Sequence, residues 1–160
     1  MNFIEELPKL LKEKELTLAC AESCTGGLIS HLVTNIAGSS KWFKGGMVTY
    51  SNEAKMKLLG IPNDTLESQG AVSKTVALLM AQQVRRQFDA DIGISSTGIA
   101  GPSGGSPKKP VGLVYLGYYS EENSHVEHHI WPYDRLGNKE SSAEQVLQMV
   151  VDLLQTSSSS

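Results

Sequence analysis

An α/β sandwich around a mixed sheet is the fold class that this sequence predicts. Three observations point to it. Apolar runs of strand length alternate with amphipathic stretches of helical period, small and polar residues gather where those strands end, and a late hairpin follows.

The elements follow in order. Residues 2–14 place Phe3, Ile4, Leu7, Leu10 and Leu11 at helical spacing, and Pro8 falls in the first turns, where it is tolerated. Leu16 to Ala21 is a short apolar run and reads as a buried strand. Thr25-Gly26-Gly27 leads into a second helical face, Leu28, Ile29, Leu32, Val33 and Ile36, which Gly38 stops. Gly45–Ser51 has strand character, and Asn52–Leu59 is a short helix closed by Gly60 and Pro62. Thr65–Gln69 is a turn of helix, and Ser73 caps an amphipathic run to Phe88. Ile92–Ser96 is a strand that enters a Gly/Pro/Ser-rich loop, residues 97–110. Val111–Tyr119 and His125–Trp131 pair through Glu121-Glu122-Asn123, and residues 139–155 form the last helix. No repeat or linker divides the chain, so one domain is expected over residues 1–156, with a disordered serine tail at 157–160.

Bulk properties narrow the function classes. The 160 residues suit one domain with a sizeable core, and a hydrophobic fraction of 40% with 19% charged residues is ordinary for a globular protein. A formal charge of −3 argues against nucleic-acid binding, which favours a strongly basic face. The N-terminal stretch lacks the pattern of a signal peptide, and no apolar run reaches the ~20 residues that span a bilayer, so a cytoplasmic protein without membrane contact is expected. Cys20 and Cys24 have no reason to face each other between a strand and a helix, so free thiols are expected. His125, His128 and His129 lack acidic or cysteine partners at ligand spacing, so no metal is expected.

Chemistry concentrates at three strand ends, where open α/β sheets bind ligands. In Ala21-Glu22-Ser23-Cys24-Thr25-Gly26-Gly27, a hydroxyl stands beside backbone N–H groups at a helix start, which suits a nucleophile and an oxyanion hole. A plain helix cap by Ser23 or Thr25 has the same pattern, and Cys24 is a rival nucleophile. Serine needs a base, and no histidine lies in these segments. In Thr49–Lys55, a lysine neutralised by burial can take that role; Lys55 and Lys57 both qualify, and Tyr50 sits at the same strand end. The third segment, Ser95–Gly105, is rich in glycine and can close on an anion, but it does not match a nucleotide-binding P-loop. Lys108 and Lys109 follow it.

The strings AESCTGG (21–27), GGMVTYSNEAK (45–55), GAVS (70–73), STGIAGPSGG (96–105) and KPVG (109–112) together resemble the C-terminal domain of the competence/damage-inducible protein CinA. The resemblance runs from about residue 5 to residue 154. It implies a three-layer α/β/α domain with a mixed sheet. Stand-alone members are nicotinamide-nucleotide amidases, so it also implies hydrolysis of nicotinamide mononucleotide to nicotinate mononucleotide and ammonia without a cofactor. By position, the family's catalytic serine, tyrosine and lysine fall on Ser23, Tyr50 and Lys55. The resemblance assigns substrate contacts to the loop with Thr97, Gly98 and Gly101, beside Thr25, Gly26 and Gly27. Similar proteins often carry two arginines before the last helix, where this chain has Arg135 and then Lys139; lysine keeps the charge without the bidentate fork. A homo-oligomer is a further implication, and the nucleotide-hydrolysing domain of longer members has no counterpart in this sequence. The expected mechanism is acyl transfer, with Lys55 as base for Ser23, Tyr50 as a proton relay, and N–H groups near Thr25–Gly27 holding the oxyanion. Two rivals are a non-catalytic module that binds a pyridine nucleotide and a structural partner in DNA uptake or repair.

Overall fold

A computed structural model describes residues 2–157. Five strands form one sheet: β1 (Leu18–Glu22), β2 (Phe43–Val48), β3 (Ile92–Gly98), β4 (Leu113–Ser120) and β5 (Ser124–Ile130). Their order is β2-β1-β3-β4-β5; β2, β1 and β3 run parallel, and β4 and β5 complete the sheet antiparallel. Six helices flank it: α1 (Phe3–Lys14), α2 (Leu28–Thr34), α3 (Asn52–Leu59), α4 (Asn63–Gln69), α5 (Lys74–Phe88) and α6 (Arg135–Ser157).

The sheet is covered on both faces, which gives the three-layer sandwich. Strand alternation sends Leu18, Cys20, Ile92 and Ile94 into a core with α1, α2 and α6, and Ala19 and Ala21 into a second core with Val76, Met80 and Val84 of α5. β1 is buried along its whole length, as a central parallel strand should be. Beside it, β2 carries one extra residue at Lys44, between the pairs Leu18–Phe43 and Ala19–Gly45. That bulge puts Phe43 against one core and Met47 against the other.

The parallel strands β1, β2 and β3 all end at one edge of the sheet. Ser23, Thr49-Tyr50 and the loop after Gly98 therefore meet there. The final helix begins at the same edge, one turn earlier than the sequence predicts. Asp134 accounts for the difference: its carboxylate accepts the N–H of Gly137 at 2.8 Å and its carbonyl that of Asn138 at 2.9 Å, so Gly137 sits inside the first turn rather than breaking it. Arg135 thereby joins the helix. At the other end the helix runs to Ser157, one residue into the segment expected to be disordered; residues 158–160 of that tail lie outside the described residues. Both cysteines are free. Among the described residues no helix is long and apolar enough to cross a membrane.

Small residues let α5 lie flat on the sheet. A Cβ at Gly93 would strike the Ala81 carbonyl, one at Gly117 the Ala77 carbonyl, and Ser95 between them donates to that same Ala77 carbonyl at 2.6 Å. Gly93→Ala is expected to lift α5 and lower stability by roughly 1–3 kcal/mol, measured by urea unfolding; an unchanged midpoint would show that the helix can yield.

Candidate functional site

Ser23 follows the last residue of β1. Its backbone is pinned to the neighbouring strand, since its N–H donates to the Ser96 carbonyl at 3.0 Å and its carbonyl accepts the Gly26 N–H at 3.1 Å. The chain then turns back through Gly26 and Gly27, at φ 58° and 106°, a left-handed conformation that glycine adopts without penalty. The Ser23 side chain is nearly buried and faces a cleft of about 260 Å³ lined also by Cys24, Tyr50, Asn52, Lys55, Thr97 and Arg135.

Lys55 reaches Ser23 from α3. Ser51 caps that helix by accepting the Ala54 N–H at 3.0 Å, which fixes its start and its phase. Lys55 and Leu59, four residues apart, share the inward face. Lys55 is only 2% exposed, whereas Lys57 is exposed on the outer side of the helix. The Lys55 Nζ donates to Ser23 Oγ and to the Thr49 carbonyl, each at 2.9 Å. Among the described residues no carboxylate pairs with it, and burial pushes its amine below the ordinary lysine value. A neutral amine keeps one N–H for Thr49 and turns its lone pair to the Ser23 hydroxyl. That is the geometry of a base beside a nucleophile.

Tyr50 lies at the cleft rim, 61% exposed, and its hydroxyl accepts from Arg135 Nη2 at 3.0 Å. Ser23 and Lys55 touch directly, so the relay expected of Tyr50 has no gap to bridge. Arg135 also donates through Nη1 to the Gly101 carbonyl at 2.6 Å, so one guanidinium links the loops after β2 and β3 across the cleft. Thr97 and Gly98 line the cleft, and the Thr97 hydroxyl donates to the Ala71 carbonyl at 2.8 Å. Beyond Arg135 an open groove continues past Ala100, Pro102, Tyr133, Asp134 and Lys139. The Lys139 ammonium stands close over Gly26, 3.7 Å from where a Cβ there would lie. Lys109 is occupied elsewhere, donating to the Gln69 carbonyl at 2.7 Å. His129 pairs with Glu127 at 3.0 Å and stacks on Trp131, away from the cleft.

The Thr25 side chain, Gly26 and Gly27 are not among the groups that line the cleft. The reason is Glu22, a fully buried carboxylate that sequence reasoning passed over. It accepts the Thr25 hydroxyl at 2.7 Å, the N–H groups of Gly27, Ile29 and Ser30 at 3.1, 2.8 and 3.0 Å, and the Ser30 hydroxyl at 2.8 Å. The start of α2 is thus already neutralised from within. The Gly26 N–H is also taken, by Ser23. Of the turn's N–H groups, that of Thr25 has no acceptor among the described residues and that of Cys24 meets its own thiol, which moves the candidate oxyanion donors back toward Ser23. Cys24 itself is buried, and burial pushes its thiol up to about 12, so it stays protonated and weakly nucleophilic near neutral pH. Glu22 had one readable signal, an acidic residue a few positions before a glycine-led helix start. Asn138, also missed, is buried and donates to the Ala100 carbonyl at 2.9 Å while accepting the Tyr133 N–H at 3.0 Å, which fixes the loop beside Arg135.

Residues 2–154 match the family model of the CinA C-terminal domain. A competence-damage inducible protein of Moorella thermoacetica is 52% identical over 141 residues, covering 88% of this chain and 34% of that protein. A CinA-like protein of Leptospira borgpetersenii is 42% identical over 157 residues, covering 98% of this chain and 38% of that protein. The chain therefore spans little more than a third of the length of these relatives. Among solved structures, the competence/damage inducible protein CihA of Agrobacterium tumefaciens is 38% identical with a TM-score of 0.86, covering 96% of both chains. The competence damage-inducible protein A of Klebsiella pneumoniae is 27% identical with a TM-score of 0.92, again over 96% of both.

Burial of Lys55 has a signed consequence for stability. The unfolded chain holds this proton up to about the ordinary value of 10.5, while the folded chain releases it at lower pH. Between those two values folding expels a proton, so the penalty is full below the folded value and fades as pH rises through 10.5. Relative to Lys55→Met, the wild type is expected to gain stability between about pH 7 and about pH 10 in urea titrations. Parallel stability curves would mean that the folded amine keeps its ordinary affinity for the proton.

Proposed function

The chain belongs to the CinA C-terminal domain family, and on that footing we propose that it is an amidase that hydrolyses the carboxamide of nicotinamide mononucleotide. The observation that carries this reading is the 2.9 Å contact between Ser23 Oγ and a buried, carboxylate-free Lys55. A module that only binds a nucleotide has no use for a lysine desolvated against a serine.

In the proposed cycle, neutral Lys55 takes the Ser23 proton as Oγ bonds to the carboxamide carbon. The N–H groups of Cys24 and Thr25 receive the developing oxyanion. As the tetrahedral intermediate collapses, the C–N bond breaks, Lys55 returns its proton to the nitrogen, and ammonia leaves an ester on Ser23. A water molecule, deprotonated by Lys55, then attacks the ester; nicotinate mononucleotide departs and Ser23 recovers its proton. Arg135 and Lys139, one helical turn apart along the groove, supply positive charge for the substrate phosphate. Their position fits a substrate whose amide lies at Ser23 and whose anionic end points toward α6.

Ammonia release from nicotinamide mononucleotide tests the proposal. Ser23→Ala and Lys55→Met are each expected to lower kcat at least about 1,000-fold. Product formation at the wild-type rate by Ser23→Ala would refute the covalent route, and binding without any release by the wild type would favour the regulatory module. Arg135→Gln is expected to raise KM roughly 10- to 100-fold with kcat less affected, as loss of a charge-assisted contact to bound substrate implies. An unchanged KM would remove Arg135 from phosphate recognition.

A further inference from the structure

We propose that Thr25 is a positioning residue that sets the oxyanion-binding turn after Ser23, and that its hydroxyl does so from inside the protein rather than by touching substrate. The inference rests on the serine route above. Thr25 is fully buried, and its hydroxyl is held on both sides at 2.7 Å, by Glu22 Oε1 and by Ser96 Oγ. The directions follow from the donors available. An ionised Glu22 can only accept, so Thr25 donates to it and Ser96 donates to Thr25. This short chain ties the turn to β1 through Glu22 and to β3 through Ser96.

The tie acts where placement matters. Ser23 and Gly26 close the turn through their backbones, which leaves Cys24 and Thr25 as its central residues, the Thr25 N–H without an acceptor among the described residues and the Cys24 N–H on its own thiol. The backbone bond alone fixes the ends of such a turn. Two side chains anchor its middle peptides through Ser96, the Cys24 thiol and the Thr25 hydroxyl, and of these Thr25 alone also reaches β1, through Glu22. The same two β3 and β1 attachments also hold Ser23, because its N–H donates to the Ser96 carbonyl. Ser96 thus fixes the nucleophile through its backbone and the oxyanion donors through its side chain. Glu22 does likewise for the base: its carbonyl accepts the Thr49 N–H at 2.7 Å, and the Thr49 carbonyl accepts from Lys55.

Substitution can separate this role from folding. Thr25→Val keeps the shape of the side chain and removes only the hydroxyl, while Glu22 Oε1 retains the N–H groups of Gly27 and Ile29, so α2 keeps its cap. Thr25→Ser keeps the hydroxyl and loses only a methyl group.

The rate at which a fluorophosphonate modifies Ser23, read by mass spectrometry, tests the proposal without relying on any natural substrate. In that step Ser23 Oγ bonds to phosphorus, the P–F bond breaks, fluoride leaves, Lys55 takes the proton, and the phosphoryl oxygen occupies the oxyanion position. Thr25→Val is expected to slow labelling roughly 10- to 100-fold, in line with displaced oxyanion donors, and Thr25→Ser to restore it to within a few-fold. With nicotinamide mononucleotide, the loss is expected in kcat with KM nearly constant. Labelling of Thr25→Val at the wild-type rate would overturn the proposal, as would a Thr25→Ser variant no better than Thr25→Val. If Thr25→Val does not fold, Ser96→Ala decides, with slowed labelling in support and an unchanged rate against. Failure of the wild type to label at Ser23 would instead overturn the serine route on which the proposal stands.

Discussion

A lysine enclosed without a counter-charge is the constraint on which this site depends. Burying an ammonium ion against only a hydroxyl and a carbonyl is costly, and the cheapest resolution is loss of its proton. Lys55 meets that condition because α3 presents it on the same face as Leu59, packed toward the core beneath the cleft. In the proposed cycle the neutral amine serves as base for the Ser23 hydroxyl, 2.9 Å away. A carboxylate beside it would restore the charge, and Glu22, the buried carboxylate among the described residues, is bonded elsewhere.

Glu22 shows how that separation is kept. Its oxygens are saturated by Thr25, Gly27, Ile29 and Ser30. The carboxylate therefore stabilises the start of α2, where negative charge is favoured, without reaching the amine. The same arrangement closes that helix start to any external anion. In the proposed reading, positive charge for the substrate phosphate comes from side chains instead, those of Arg135 and Lys139, which line the groove at the start of α6.

Much of this was legible in the sequence. Strand-length apolar runs and helical periodicity give the order of the elements, and the three polar strand ends converge because β1, β2 and β3 are parallel. The choice between Lys55 and Lys57 is not visible in composition, yet it follows from helix phase: Lys55 stands four residues before the buried Leu59, and Lys57 faces outward. The glycine-led helix start at Gly26 and Gly27 reads in sequence as an open anion site. Only the fold reveals that an internal carboxylate already fills it. The early start of α6 was hidden by Gly137, which sequence rules treat as a breaker, although Asp134 carried the capping signal.

Titration of the Lys55 side chain by NMR, in protein labelled at the lysine ε-carbons and assigned with Lys55→Met, tests the central claim most directly. One lysine resonance is expected to lose its proton at a pH clearly below that of the exposed lysines, and to be missing from the variant. A Lys55 resonance that titrates together with the exposed lysines would mean that the amine is charged at neutral pH, and the base assigned to Ser23 would be lost.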